Sequence, residues 1–381
     1  MRGNSVLFVV LALAVAGCTS PVQPAAPAEF VRHANAVQSG RYDGAQSLST
    51  GITHLMPFGK CAIGVGIFAN GYRNVGANWT GNADCTSFTL PEHRPASSGD
   101  RLPSQGGWDG SGLAATSVVA LPDGSLVGAS SVVQRLNPDG TVTALADLHL
   151  PTRDPKQETG DTGEARSIVR SGDRLVIGGG HVVGDKASPL IWTSDDGGKT
   201  VTPAQVPPVN GYVGPMAASG STIVAVEQTA ENDQLGIWRS ADGGSSWQLT
   251  EFSAGTASPM ITNLFRTEHG WLIVGTGGDD QAHAYRPFLA SSPDGVNWKV
   301  VDTSSATAGR VVDATVTKSG DLVLVGEGPS SGGTDCGVLW TGAADSLRHV
   351  DLGCDDSPRA TATLADGRVI VVGAKDLWVR A

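Results

Sequence analysis

The chain is poor in several things that would assign it to a class at once. Only 17% of its 381 residues are charged, and acidic side chains outnumber basic ones 37 to 26, for a net charge of −11. A surface with that balance repels phosphate backbones, so nucleic acid is not an expected partner. Nowhere do apolar residues recur at helical spacing over the length of a globular helix, so helices are not expected to build the core. Aromatic residues make up only 6%, and there are four tyrosines. No spacing matches a calcium loop or a zinc site, and neither metal nor cofactor is expected. The uninterrupted apolar run Val6 to Ala16 has eleven residues, too few for a membrane-spanning helix of about 20.

Glycine, in contrast, is plentiful at 51, which suits many short strands joined by tight turns that need a positive φ. A strand-turn-strand pattern recurs around Gly124, Gly172, Gly220, Gly270, Gly320 and Gly367, at intervals of 48, 48, 50, 50 and 47 residues. A period near 50 with about four short strands per unit is the mark of a propeller blade. The strand after each turn is nearly continuous in Val, Leu and Ile, as in Leu322-Val323-Leu324-Val325, so both its faces must be buried between neighbouring blades. Trp192, Trp238, Trp340 and Trp378 each follow Ile or Leu at one place in the repeat and are expected to pack between blades.

Six units run from about Ala115 to the C-terminus, and Gly51 to Pro91 reads as a seventh, divergent one. The last unit stops at Ala381 after its third strand. Its fourth is expected from the N-terminal side, between Glu29 and Leu48, which would close the ring and remove exposed edges. The expected fold is therefore an all-β propeller of seven four-stranded blades, with six as the alternative, occupying residues 30–381.

The N-terminal segment gives an expectation about compartment. A positive start, the apolar run and then Val15-Ala16-Gly17-Cys18 resemble a bacterial lipoprotein signal, in which the Cys is acylated and becomes the first mature residue. This implies a signal peptide over 1–17 and a tether over 18–29 carrying Pro21, Pro24 and Pro27. Cys18 would hold the chain to a bilayer on its extracytoplasmic side. Four cysteines remain, an even number that suits an oxidising compartment and allows three pairings. Cys336 with Cys354 is favoured, because they flank consecutive antiparallel strands; Cys61 with Cys85 follows by elimination.

The turns after the third strands carry their own chemistry. Ser240-Ala241-Asp242-Gly243-Gly244-Ser245-Ser246-Trp247 fits Ser-x-Asp-x-Gly-x-x-Trp throughout. Ser194, Asp196 and Gly198 begin a copy with Val201 in place of Trp, and Ser292, Asp294 and Trp298 form one with a residue fewer. Asn137 to Gly140 and Thr341 to Asp345 look like eroded copies. In such turns the carboxylate accepts backbone N–H groups from its own loop. These Asp-boxes with the 50-residue period resemble the sialidase-like Asp-box (BNR) propeller superfamily, over Gly51 to Ala381. The resemblance implies a structural role for the boxes, on the face opposite any ligand. It also implies a fold with many occupations, so the site must be argued separately.

Sialidases of that superfamily carry a Phe/Tyr-Arg-Ile-Pro motif in the first blade, which is absent here; Tyr285-Arg286-Pro287 lacks the Ile and falls in a later unit. The expected ligand face is built from loops before the innermost strands and between second and third strands. Glu164, Arg166, Tyr212, Arg310 and Arg359 are its candidates, within an acidic rim that includes Asp154, Glu158, Asp161, Asp185, Glu227, Glu231, Asp233, Asp280, Asp355 and Asp356. No catalytic residue is assigned. The expected function is that of a monomeric, membrane-anchored propeller that binds an envelope protein or glycan without catalysis. The alternative is a glycoside hydrolase or lyase, in which Arg166, Arg310 or Arg359 would converge with an acidic residue and Tyr212.

Overall fold

The computed structural model describes residues 30–38, 41–42, 45–46, 49–69, 74–90, 113, 115–150, 162–183, 186–228, 233–279, 284–331 and 334–381. Cys18, the signal segment and the tether lie outside the described residues. Among those described, every regular element longer than a turn is a β-strand, and no helix is long and apolar enough to cross a membrane.

Seven four-stranded antiparallel sheets succeed one another as blades. Blade 1 comprises Ser49–Phe58, Cys61–Ala69, Asn74–Gly81 and Phe88–Thr89. Blade 2 comprises Val118–Ala120, Leu126–Ala129, Val132–Leu136 and Val142–Asp147. Thr162–Ser171, Arg174–Val183, Lys186–Ser194 and Thr202–Ala204 make blade 3. Val213–Ser219, Thr222–Glu227, Gln234–Ser240 and Gln248–Ser253 make blade 4. Blade 5 holds Met260–Thr267, Gly270–Asp279, Ala284–Ser292 and Lys299–Val300. Blade 6 holds Arg310–Val316, Leu322–Ser331, Thr334–Gly342 and Arg348–Gly353. Blade 7 takes Ala360–Thr363, Val369–Val372 and Leu377–Arg380 from the C-terminus. Its outermost strand, Val31–His33, comes from the other end of the chain, with Val31 opposite Val379. The seven-blade count and the N-terminal closure are thus both found, and the six-blade alternative is not.

A three-residue strand supplies few ladder bonds, and side chains reinforce it. The Arg32 guanidinium bonds the buried Asp376 carboxylate and, at 3.1 Å, Asp355, while Asp376 also accepts the Asn35 N–H at 2.9 Å. Asp356 gathers the backbone N–H groups of Ala374, Lys375 and Asp376 at 2.8–3.0 Å. Asp355 and Asp356, expected on an acidic rim, therefore serve the closure of the ring.

The continuous apolar second strands divide their side chains between neighbours. In blade 6, Leu322 and Leu324 pack with Leu272 and Val274 of blade 5, whereas Val323 and Val325 pack with Val369 and Val371 of blade 7. Trp192, Trp238, Trp340 and Trp378 are all buried, each against the blade before its own. Each such aliphatic side chain contributes roughly 1.5–3 kcal/mol on burial, so the interblade layers hold most of the stability. Both disulfides are formed as favoured, Cys61–Cys85 and Cys336–Cys354.

One irregularity recurs near the axis. The innermost strand carries one extra residue between Ile52 and His54, Ala165 and Ser167, Ile261 and Asn263, and Val311 and Asp313. Each bulge brings a carbonyl of that strand against a glycine of the next, so that a Cβ on Gly66 would strike the Gly51 oxygen and one on Gly326 the Arg310 oxygen. Blade 4 has Glu227 opposite Val213, and its bulge takes two residues, Gly214 and Pro215.

Candidate functional site

A β-bulge re-aims the side chains beside it, and here the repeated bulges turn a set of polar groups toward the propeller axis. They line an upper chamber of about 650 Å³, at the end where the inner strands begin; Thr53, Arg166, Pro215, Thr262 and Val312 are bulge residues facing it. A second cavity of about 550 Å³ continues toward the lower end, where the inner strands turn back. His54, Met56, Asn263, Phe265 and Asp313 border both and form a waist between them.

The waist is a buried polar cluster. Asp313 Oδ1 accepts a bond from Asn263 Nδ2 at 2.9 Å, and Oδ2 accepts the Thr361 N–H at 2.8 Å. One carboxylate thereby joins blades 5, 6 and 7. Burial pushes the Asp313 carboxyl up, against the opposing pull of His54, Asn263 and Thr361. Burial likewise holds the His54 imidazole below its ordinary range, although Asp313 pulls it upward. Desolvation thus moves both groups toward their neutral forms.

Hydrogen bonds continue around the ring. Asn78 accepts the Leu113 N–H at 2.8 Å, and Thr116 Oγ1 donates to the Arg166 carbonyl at 2.9 Å. Arg166 Nη1 donates to Gln228 Oε1, and the Gln228 carbonyl accepts the Ile261 N–H at 2.8 Å. Thr315 and Thr363 share a bond of 3.0 Å. This inner girdle links successive blades through residues 33 to 62 positions apart.

Three of the five residues expected on the ligand face meet at one point. Arg166 bonds Glu164, and its Cζ lies 4.2 Å from the centroid of the Tyr212 ring. Arg310 and Arg359 do not border the chamber. Both head inner strands; of the three arginines that the sequence offers as alternatives, Arg166 is the one that meets an acidic residue, Glu164, beside Tyr212, while the Arg359 guanidinium lies against Gly51 of blade 1. Glu227, expected on the rim, is buried inside blade 4 and accepts the Gly236 N–H at 2.9 Å. Asp233 is held within its own blade by Ser253 at 2.7 Å. Asp154, Glu158, Asp161, Asp185, Glu231 and Asp280 lie outside the described residues.

His54, Ser167, Asn263 and Asp313 escaped the sequence reading. A signal existed for two of them: Asn263 and Asp313 occupy the same place in units 50 residues apart, where a polar side chain interrupts an otherwise apolar strand. Three atoms of lining residues, Arg166 Nε, Ser167 Oγ and Asn263 Oδ1, are buried without a hydrogen-bond partner. Among the described residues no cluster of potential metal ligands is found.

The lower face is different. Ser194, Ser240 and Ser292 hydroxyls bond Asp196, Asp242 and Asp294 at 2.8–3.0 Å. Asp196 accepts the Thr200 N–H, Asp242 the Ser246 N–H, and Asp294 the N–H groups of Val296 and Asn297, at 2.8–2.9 Å. The Gly198 and Gly244 N–H groups bond back to Ser194 and Ser240. Trp247 is buried and donates to the Gly244 carbonyl at 3.0 Å, while Trp298 is partly buried against blade 4 residues. Backbone N–H donation and neighbouring hydroxyls hold the Asp196 and Asp242 carboxyls down at about 2, and Asp294 lower still.

No family model and no curated protein matches the chain. Many solved structures resemble it. The α-L-arabinofuranosidase Arb93A of Fusarium graminearum, with an iminosugar inhibitor, is 14% identical, covering 69% of this chain and 91% of that one at a TM-score of 0.43. A glucose dehydrogenase is 11% identical over 70% and 95% of the two chains, with a TM-score of 0.42. The acylaminoacyl peptidase of Pyrococcus horikoshii is 12% identical and has a TM-score of 0.51; the likeness covers 86% of this chain and half, 50%, of that one. At such identities the shared property is the propeller fold.

Proposed function

We propose that the chain is an exported propeller, anchored to a bilayer through acylated Cys18, that binds an envelope glycan in its upper chamber without turning it over. The observation that carries the binding reading is the chamber itself. Its volume of about 650 Å³ falls among small-ligand sites of roughly 300–1,000 Å³, and three buried polar atoms of its lining residues have no partner. Buried polar groups left unpaired are costly, so a site that keeps them is suited to a ligand that satisfies them. The anchoring part rests on the residues before Cys18, and an Asp-box ancestry on the three lower turns.

A second reading, glycoside hydrolysis, is favoured by Asp313, whose raised carboxyl suits a proton donor. That chemistry also needs a second free carboxylate roughly 5–10 Å away. Glu164, the other carboxylate on the described lining, is tied to Arg166, and Asp313 itself already accepts two bonds. Binding without turnover is therefore the better account.

The test is a thermal-shift screen of the full chain in mild detergent against envelope saccharides, followed by product analysis on any hit. A ligand at 100 times its dissociation constant adds roughly 2.7 kcal/mol to stability. The expected outcome is a raised midpoint with one saccharide class, abolished by Thr53→Trp, which fills the chamber from an exposed position, and no product. Steady product formation lost in Asp313→Asn would establish the second reading instead.

A further inference from the structure

The chamber's hydrogen-bonding polarity goes further than its shape. We infer that its ligand is an uncharged, hydroxyl-rich compound, a neutral sugar or polyol unit, and not a carboxylate- or phosphate-bearing one. This rests on the binding reading above and narrows it.

The argument starts from the lining hydroxyls. A threonine hydroxyl has one proton to give and two lone pairs with which to accept. Thr53 Oγ1 gives its proton to the Val65 carbonyl at 3.2 Å, and Thr262 Oγ1 gives its proton to the Val274 carbonyl at 3.3 Å. These are matching bulge positions in blades 1 and 5, and the same geometry fixes both. Thr116 Oγ1 likewise donates to the Arg166 carbonyl. Three hydroxyls around the chamber therefore have their protons spent on backbone carbonyls and keep lone pairs with which to accept. Asn263 adds a fourth acceptor: its amide nitrogen is spent on Asp313, and its Oδ1 is buried with nothing to receive. Ser167, buried and without a partner at its Oγ, can both give and accept.

A ring of acceptors is complemented by a ligand that brings donors. An anion brings acceptors only and would need cations in return. The described lining offers one guanidinium, Arg166. Glu164 balances its charge, Gln228 takes a further N–H, and Tyr212 lies against its face; its buried Nε–H, which has no partner, is a donor that an uncharged hydroxyl oxygen can accept. An ammonium ligand would supply donors, but it would have to sit near that guanidinium. Sugar hydroxyls supply donors without charge, and each can still accept from Ser167.

The test is titration calorimetry of the full chain in detergent with matched probes that differ in one group: galactose- and glucose-based disaccharides, their uronate counterparts and their amino-sugar counterparts. Binding of a neutral member at least tenfold tighter than its uronate and amino partners is expected, as is loss of that binding in Thr53→Trp. Glu164→Gln, which removes the balance to Arg166, is expected to shift the neutral-to-uronate ratio toward the uronate by about tenfold, the effect of one uncompensated charge at close range. A wild-type preference for the uronate or the amino sugar overturns the inference while leaving the binding reading in place. No binding by any probe, with Thr53→Trp indistinguishable from wild type, overturns the binding reading as well.

Discussion

The two ends of this propeller are held by hydrogen bonds of opposite reach. At the lower end each Ser-x-Asp turn is closed within itself: the Asp242 carboxylate is satisfied by Ser240 and Ser246, two and four residues away. Around the axis and upper chamber the partners come from different blades, Asn263 with Asp313 at a separation of 50 residues and Arg166 with Gln228 at 62. A local bond is remade wherever its few residues recur, so the lower turns can repeat with little regard for their surroundings. A bond across blades exists only when positions in two different units agree. The lower turns therefore repeat while the chamber is singular, and function resides where repetition stops.

This contrast predicts unequal consequences. Asp313→Ala strands the Thr361 N–H and the Asn263 amide in a buried place, and should cost about 3 kcal/mol of unfolding free energy in urea titration. The Asn263→Ala and Asp313→Ala changes should couple in a double-mutant cycle by about 1 kcal/mol or more, because they share a bond. Asp242→Ala should cost only about 1 kcal/mol, the typical value of a side chain that caps its own turn. Asp242→Ala and Asp294→Ala, which share no partner, should add to within about 0.5 kcal/mol. Coupling between the two lower turns, or additivity across the waist, would erase the distinction drawn here.

The smallest effect is one of pH. Asp196 and Asp242 have folded-state pKa values lowered to about 2, against about 3.9 in an unfolded chain. A lowered pKa contributes stability that is fully present above the unfolded value and is lost as pH falls through the folded one. The gap in thermal midpoint between wild type and Asp196→Asn/Asp242→Asn should accordingly be constant above about pH 5 and close toward pH 2. A gap that widens on acidification would mean that these carboxylates are not stabilised in the fold as described.

The same contrast explains what could be read beforehand. The period of the turn glycines and the buried second strands carry the blade count, because a strand buried on both faces must be apolar along its length. The seventh blade's borrowed strand followed from Ala381 ending the last unit one strand early. Arg166, Glu164 and Tyr212 were legible as neighbours because they begin adjacent inner strands. The waist was not. Nothing in a window around Asp313 reveals Asn263 or Thr361 as its partners, and the bulges that aim these side chains leave only a glycine in the next strand as a trace. Glu227 misled for a related reason: a charged residue at a strand end reads as solvent-facing, yet its carboxylate lies against Gly211 and Gly236, where side-chain-free backbone leaves it room inside blade 4.

The most direct test of the account is where a ligand sits. Crystals of the protein grown with the saccharide that gives the largest thermal shift should show it in the upper chamber, with its hydroxyls on Thr53, Thr262 and Asn263 and its edge on Ser167. Density on the lower face beside the Asp242 or Asp294 turn, or outside the propeller channel altogether, would contradict the division of labour proposed for the two ends.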